Sequence, residues 1–120
     1  WDRRPHAPVN VVCLHHPRGD VKKVSYLEGA CRPAQWSEPP AHRWHWEVPS
    51  WTAGITEMGS SGAGLFNAAG LLVGQLHGGQ SSCANPGGWD RFGALAYSWD
   101  RGQQHLAPFL DPDNRNLETL

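Results

Sequence analysis

Short apolar segments separated by turns rich in glycine and proline limit the fold of this 120-residue chain more than any other feature of its sequence. Short β-branched or alternating segments of this kind are typical of strands, and the turns between several of them suit hairpins. The predicted strands cover residues 9–14, 21–27, 44–48, 64–66, 70–76 and 91–99. Six antiparallel strands predict an all-β fold, a small closed barrel or a sandwich, rather than a parallel α/β sheet.

Two segments fall outside this strand pattern. Residues 28–42 are rich in proline, glycine and polar side chains and are predicted to form a loop. Residues 103–110 predict a short C-terminal helix, which Pro108 limits to a turn or two. One domain is expected, because a chain of 120 residues can bury a single modest core.

The charge and hydropathy of the sequence argue against two classes of partner. The net charge is −1 and no basic run is present, so neither nucleic acid nor an anionic membrane is an expected partner. The longest apolar runs, such as residues 71–73, are far too short to span a bilayer. The chain begins on Trp1 without a basic-then-apolar leader, and we expect it to be a piece of a longer protein.

The three cysteines, Cys13, Cys31 and Cys83, leave one without an internal partner if the protein is secreted. The alternative is that they are buried thiols that pack as small hydrophobic side chains. Cys83 lies in a loop of glycine and serine, where a disulfide is the better interpretation. A pair between Cys13 and Cys31 is left open by the sequence.

The segment TEMGSSGAGLF, from Thr56 to Phe66, places a serine between two glycines in a tight turn that leads into an apolar strand. A nucleophilic hydroxyl needs such a setting, in which its own N–H and that of a preceding glycine can face an oxyanion. The pattern G-x-S-G alone is weak, because turns of glycine and serine are common in all-β proteins and most carry no chemistry. The interpretation as a nucleophile therefore depends on the rest of the chain.

This segment resembles the nucleophile region of the trypsin/chymotrypsin superfamily, in particular its bacterial lysyl endopeptidase branch. The likeness continues through LVGQLHGG and SSC, and it includes WDRR at the start, HHP after the first strand and LDP near the end. These pieces keep their order and approximate spacing over nearly the whole chain. In that family two antiparallel β-barrels pack face to face around the active site. The chain resembles the second, six-stranded barrel with its short C-terminal helix.

The resemblance implies a role for particular residues. Ser61 matches the nucleophile, and the N–H groups of Gly59 and Ser61 match the oxyanion hole. Asp90 matches the acid at the bottom of the S1 pocket in lysine-specific members, where a carboxylate stabilises the cationic side chain of the substrate. Other substrate-binding positions are an edge segment that pairs with an extended peptide and an aromatic pair beside the pocket. The edge segment is Leu76, His77 and Gly78, and the pair is Trp36 with His77.

The resemblance also implies what lies outside the chain. A first barrel with the catalytic histidine and aspartate is expected before Trp1, and Cys83 is expected to form a disulfide with a cysteine there. The parent protein is expected to be a secreted bacterial serine endopeptidase that cleaves peptides and proteins after lysine or arginine, without a cofactor. The 120-residue segment alone is expected to be inactive, because no histidine within it is predicted to reach Ser61.

Two rival functions are open at this point. The seven tryptophans favour a secreted carbohydrate-binding module with an exposed aromatic platform. Trp44 and Trp46 argue against this rival, because they share one face of a predicted strand. A position in the barrel core, or on the surface between two barrels, explains that placement more simply. The second rival is a protease-like homologue that keeps the fold but hydrolyses nothing. Ala63-Gly64 after the glycine of the motif departs from the usual family residues, although this change removes no reacting group.

Several polar side chains have a simpler explanation beside the functional one. Without the resemblance, Asp90 would be interpreted as a solvated turn residue. Four histidines could be taken for a general base or for metal ligands, but they match no catalytic position of the family and have no cysteine or carboxylate at ligand spacing: His15, His16, His42 and His45. No metal site is therefore predicted, and HHP is interpreted as a hydrogen-bonded turn.

Overall fold

The computed structural model describes residues 1–36, 44–101 and 105–120. Within these ranges the chain forms seven strands, namely β1 (Val9–His15), β2 (Lys23–Ala30), β3 (Arg32–Ala34), β4 (His45–Val48), β5 (Gly64–Phe66), β6 (Leu72–Gly79) and β7 (Asp90–Ala94). Two short helices follow them, α1 (Leu95–Ser98) and α2 (Ala107–Leu110). A 3₁₀ turn at Pro17–Gly19 joins β1 to β2. The predicted all-β class is confirmed.

The seven strands form one antiparallel sheet in the order β2-β1-β5-β6-β7-β4-β3. The predicted hairpins are present, since β1 pairs with β2 and β5 pairs with β6. The first and last strands of this order, β2 and β3, are separated in the chain by Cys31 alone. The sheet is therefore strongly curled. It is a half-barrel of seven strands, and the predicted closed barrel of six strands is not confirmed.

The core lies on the concave side of the curled sheet, where alternate side chains of each strand point inward. In β1 the buried Val11 and Cys13 are followed two residues later by the buried His15. In β4 the buried residues are Trp46 and Val48, which agrees with the alternation in the sequence. Most of the core is apolar: Val11, Cys13, Leu27, Cys31, Trp46, Val48, Trp51, Leu65, Val73, Leu76, Phe92 and Ala94.

Two predictions about local structure were wrong. The predicted strand at 91–99 ends at Ala94 and continues as α1, because Leu95 and Trp99, four residues apart, both bury their side chains as a helical turn requires. The predicted loop at 28–42 contains the end of β2 and the whole of β3, which pairs with β4. Because β3 is an edge strand in the sheet order, its central proline is tolerated there. Residues 37–43 of this predicted loop lie outside the described residues.

The C-terminal helix predicted at 103–110 is present as α2, with Pro108 in its first turn, where the missing proline N–H breaks no helical bond. Residues 103 and 104 lie outside the described residues. Neither helix, nor any other in the described ranges, is long and apolar enough to cross a membrane.

All three cysteines are free thiols, with Cys13 and Cys31 buried and Cys83 exposed. Burial raises the pKa of both buried thiols to about 12, and the charge of Asp90 adds to the rise at Cys13. Since the thiolate is the reactive form, we expect a disulfide reagent such as Ellman's to titrate one thiol in the folded 120-residue chain and all three after denaturation. A Cys83→Ser variant serves as the control and should not react until it is denatured. Rapid native reaction of that variant would contradict the burial of Cys13 and Cys31.

Candidate active site

The serine turn, residues 57–62, leads into β5 and carries the predicted nucleophile. The N–H of Ser60 donates within the turn (3.0 Å), and the N–H of Gly62 donates to a carbonyl of β6 (2.8 Å). In the described part of the chain, the N–H groups of Gly59 and Ser61 donate to no acceptor. The exposed Ser61 hydroxyl has no hydrogen-bond partner there either. The turn therefore leaves two amides and the Ser61 hydroxyl available to a ligand.

Gly59 is held in a conformation that other residues rarely adopt, with φ of +94°. A Cβ atom at this position would also lie 3.2 Å from the backbone nitrogen of Arg18, which belongs to the 3₁₀ turn after β1. The N–H of Arg18 donates to the carbonyl of Met58 at 2.7 Å. The serine turn is thus packed directly against the segment that follows β1.

Asp90 begins β7 and is fully buried, which rules out the interpretation as a solvated turn residue. Its Oδ2 atom accepts hydrogen bonds from the indole N–H of Trp51 and the hydroxyl of Ser81, each at 2.6 Å. Its Oδ1 atom has no partner among the described residues. A buried carboxylate oxygen without a donor is costly, so this atom is a strong candidate to accept a hydrogen bond from a ligand.

Two consecutive glycines at the end of β6 face this region. Gly79 pairs with Asp90 across the β6–β7 ladder, and a Cβ at Gly79 would collide with Asp90 Oδ1. At Gly78 a Cβ would lie 3.2 Å from the indole ring of Trp36. Only glycine at both positions allows the backbone of β6 to approach the carboxylate and the ring this closely.

The predicted aromatic pair is in contact. The rings of Trp36 and His77 stack with centroids 3.7 Å apart and an interplanar angle of 22°, and Trp89 meets the Trp36 ring edge-on at 6.4 Å. His77 Nδ1 also lies 3.0 Å from His45 Nε2, while His45 Nδ1 is buried without a partner among the described atoms. Burial, and next the charges of His77 and Arg91, lower the pKa of His45.

The predicted edge segment has two parts that differ in their pairing. The backbone of Leu76 is occupied, since its N–H donates to the carbonyl of Ala63 and its carbonyl accepts from Gly62, both at 2.8 Å. The ladder between β5 and β6 stops at Gln75. Beyond it, among the described strands, Gly78 and Gly79 pair with β7 alone, and His77 lies at an irregularity of that ladder. This end of β6 therefore has one side open to an added strand.

A hydrogen-bond network joins the serine turn to the Asp90 region. Ser81, which donates to Asp90, accepts from the N–H of Thr56 at 2.9 Å, and Thr56 immediately precedes the serine turn. The two side chains that hold Asp90, those of Trp51 and Ser81, were not predicted from the sequence, and neither was the contact of His45 with His77. No sequence signal marks these contacts, because each joins residues from separate strands or loops.

In the described ranges no group of three His, Cys, Asp or Glu side chains is placed to hold a metal ion. His42, one of the histidines considered as a ligand, lies outside the described residues. Of the tryptophans, Trp46, Trp51 and Trp99 are buried. The more exposed Trp44 stacks on Tyr97 at 4.3 Å.

The sequence model of the family "Lysyl endopeptidase, C-terminal domain" matches residues 1–93. The chain therefore belongs to this family, and the resemblance deduced from its motifs is confirmed. Lysyl endopeptidase of Pseudomonas aeruginosa is 38% identical to the chain over 77 residues, which are 61% of this chain and 16% of that protein. The chain thus corresponds to a small part of the length of this relative.

Proposed function

We propose that this chain is the C-terminal half of a secreted bacterial serine endopeptidase that cleaves peptide bonds after lysine, or after basic residues more broadly. The observation that carries the proposal is the serine turn, in which the exposed Ser61 hydroxyl lies next to two amides without acceptors, those of Gly59 and Ser61. Membership of the lysyl endopeptidase family supports the reaction, and the unpartnered oxygen of Asp90 supports the specificity.

In the proposed reaction the Ser61 oxygen attacks the carbonyl carbon of the scissile bond while a histidine of the first barrel takes its proton. The carbonyl oxygen becomes an oxyanion that accepts hydrogen bonds from the N–H groups of Gly59 and Ser61. Each such donor typically lowers the barrier by about 2.7–4 kcal/mol. The histidine then protonates the leaving amine, and water hydrolyses the acyl-enzyme by the same steps. These residues need no cofactor.

The specificity follows from the buried carboxylate. The ammonium group of a substrate lysine would donate to Asp90 Oδ1, whose companion oxygen is already held by Trp51 and Ser81. Because Asp90 has no exposed surface in the structure, the pocket wall must move to admit the side chain. The stacked rings of Trp36 and His77 would line the entrance, and the open side of residues 77–79 would pair with the peptide backbone.

The rest of the enzyme is proposed to lie before Trp1. It would supply the catalytic histidine and aspartate in a first barrel, together with a cysteine that forms a disulfide with the exposed Cys83. In that assembly the curled sheet would be the second barrel, closed through the bend at Cys31 between β2 and β3.

Active-site labelling tests the proposal directly. A fluorophosphonate should modify the full-length protein at Ser61, as located by mass spectrometry of the digested protein. A Ser61→Ala variant should not be labelled, whereas Ser82→Ala, in a nearby turn, should be labelled normally. A folded full-length protein that neither reacts nor hydrolyses a lysyl ester would identify an inactive homologue. Binding to immobilised polysaccharide without labelling would favour the carbohydrate-binding module.

The isolated segment provides a second test. Purified residues 1–120 should not hydrolyse a lysyl ester, because the Ser61 hydroxyl has no base within the described part of the chain. A hydrolysis rate that Ser61→Ala abolishes would show that the chain contains its own base and would contradict the proposed division of the active site.

The aromatic pair should affect substrate binding more than chemistry. Replacement of Trp36 by alanine in the full-length protein is expected to raise KM for lysyl peptides about 3–10-fold with little change in kcat, since a stacked aromatic contact contributes about 0.5–1.5 kcal/mol. Trp44→Ala is the matched control, because the Trp44 ring stacks on Tyr97 instead of His77. Equal effects of the two variants on KM would show that the Trp36–His77 stack does not contact the substrate.

A further inference from the structure

A buried histidine lies directly beneath the serine turn. His15, the last residue of β1, is 2% exposed and bonds to a serine on each side of its ring. Its Nδ1 atom lies 2.8 Å from the hydroxyl of Ser60, and its Nε2 atom lies 3.0 Å from the hydroxyl of Ser25. Ser60 and Ser25 are themselves buried. Ser60 stands between the two residues whose amides are proposed to form the oxyanion hole.

The hydrogen-bond partners determine which ring nitrogen of His15 carries the proton. The Ser25 hydroxyl donates its one hydrogen to the carbonyl of Ile55 at 2.7 Å, so it can only accept from His15. His15 must then carry its proton on Nε2, which leaves Nδ1 to accept from the hydroxyl of Ser60. The bonds run in one direction from Ser60 through His15 and Ser25 to Ile55, and neutral His15 uses both of its nitrogens.

The same segment of chain fixes both proposed oxyanion donors. Ser60 contributes the carbonyl of the peptide group whose N–H belongs to Ser61. This carbonyl accepts from the N–H of Ala63 at 3.0 Å, and the bond from the Ser60 hydroxyl to His15 holds the same residue from its side chain. The N–H of Gly59 belongs to a peptide group whose carbonyl, on Met58, accepts from the N–H of Arg18 at 2.7 Å. Because a trans peptide group is planar, a fixed carbonyl also fixes the opposite N–H.

We propose that His15 is a positioning residue for the reaction at Ser61, which holds the serine turn so that its two free amides face the oxyanion. The inference rests on the proposed function and assigns a role to the HHP motif, which the sequence suggested only as a hydrogen-bonded turn. His15 does not touch the substrate; it acts through the hydroxyl of Ser60. The adjoining Arg18 amide completes the support from the same side.

Protonation of His15 would reverse the bond to Ser60. The Nδ1 atom would become a donor, and the Ser60 hydroxyl would lose its only acceptor among the described residues. Burial lowers the pKa of His15; the charge of Asp90 opposes this shift and that of the neighbouring His16 adds to it. The unfolded chain therefore binds the proton more readily, and the network's contribution to stability is lost as the pH falls below the ordinary histidine pKa of 6.5.

Two substitutions at His15 separate positioning from packing. Asparagine places an acceptor oxygen close to the position of Nδ1 and can keep the bond to Ser60, whereas phenylalanine fills the space without any acceptor. In the full-length protein His15→Phe is expected to lower kcat for a lysyl ester about 10–100-fold, less than the 10²–10³-fold typical of losing an oxyanion donor outright. KM should stay within about twofold, since the ground-state carbonyl does not depend on the oxyanion donors. His15→Asn should restore most of kcat.

A peptide aldehyde ending in lysinal provides a second readout, because its adduct with Ser61 places an oxyanion on the same two amides. Its affinity should fall in parallel with kcat/KM in His15→Phe. If that variant folds poorly, Ser60→Ala removes the same bond while it retains the imidazole, and it should show the same loss confined to kcat. His16→Gln, at the exposed neighbouring position, should leave both constants unchanged.

The pH dependence of the melting temperature (Tm) tests whether His15 is neutral in the folded protein. The wild-type protein should lose Tm relative to His15→Asn as the pH is lowered below 6.5. Unchanged kcat in both folded His15→Phe and Ser60→Ala would overturn the inference while leaving the proposed function intact. Absence of Ser61-dependent hydrolysis in the wild-type protein would overturn both. A loss of kcat in His15→Asn with none in His15→Phe would show that the ring only fills space.

Discussion

Replacement of Ser61 by alanine in the full-length protein is expected to reduce kcat for a lysyl ester by about 10⁶-fold, which is the typical cost of removing the nucleophile of a serine protease. Alanine leaves the backbone of the serine turn unchanged but has no oxygen to attack the carbonyl carbon. KM should change little, because the proposed substrate contacts are those of Asp90 and β6, which this variant leaves in place. Initial-rate kinetics over a range of substrate concentrations would measure both constants.

The matched control for this variant is Ser82→Ala, which removes a hydroxyl from the turn before Asn85, where it accepts from a backbone N–H at 3.0 Å. Its kcat should stay within about twofold of the wild-type value, because in the described part of the chain this hydroxyl bonds to the backbone of Asn85 alone and to none of the proposed site residues. Retention of more than a few per cent of the wild-type kcat in Ser61→Ala would place the nucleophile elsewhere.

Replacement of Asp90 by asparagine is the second variant with a large expected effect. We expect kcat/KM for lysyl substrates to fall by about 10²–10³-fold, since loss of one partner of a buried ion pair costs about 3–5 kcal/mol. Asparagine has nearly the same shape and its carbonyl can still accept from Trp51 and Ser81. Its amide group, however, would face the substrate ammonium with N–H donors where an acceptor is needed.

Substrates with an apolar residue in place of lysine provide the comparison. Their kcat/KM should change by only a few-fold in Asp90→Asn, because they make no ion pair with the carboxylate. Asp111→Asn is the matched control: Asp111 is also buried, but it accepts from the backbone of Arg115 and Asn116 at the C-terminal end. Equal losses on lysyl and apolar substrates would show that Asp90 supports the fold instead of the specificity.

The hairpins could be predicted from sequence because their information is local. The turn residues between β1 and β2 and between β5 and β6 end one apolar segment and start the next, and the structure pairs both sets of strands. The start of α1 could not be predicted in this way. Leu95 and Trp99 fit the spacing of a strand as well as that of a helical turn, and only the position of the core distinguishes the two.

The strand β3 shows the opposite case. Its sequence, Arg32–Ala34, has a central proline and no apolar alternation, so local preference favours a loop. It is a strand because β4 offers an edge beside it, and residues 32–34 complete the ladder with His45 to Glu47. Pairing with a distant segment overrode the local signal.

The candidate site shows the same difference between local sequence information and tertiary structure. The sequence by itself determined which chemical groups are present, namely the serine turn, the glycines of β6 and the acid at position 90, because a motif fixes residue types and short-range backbone geometry. The tertiary structure decided their environment: it buried Asp90 with one oxygen unpartnered, and it placed His15 under Ser60, which lies 45 positions away in the chain. Burial and hydrogen bonding between separate strands depend on how the sheet curls, and that is a property of the whole chain, which no local pattern contains.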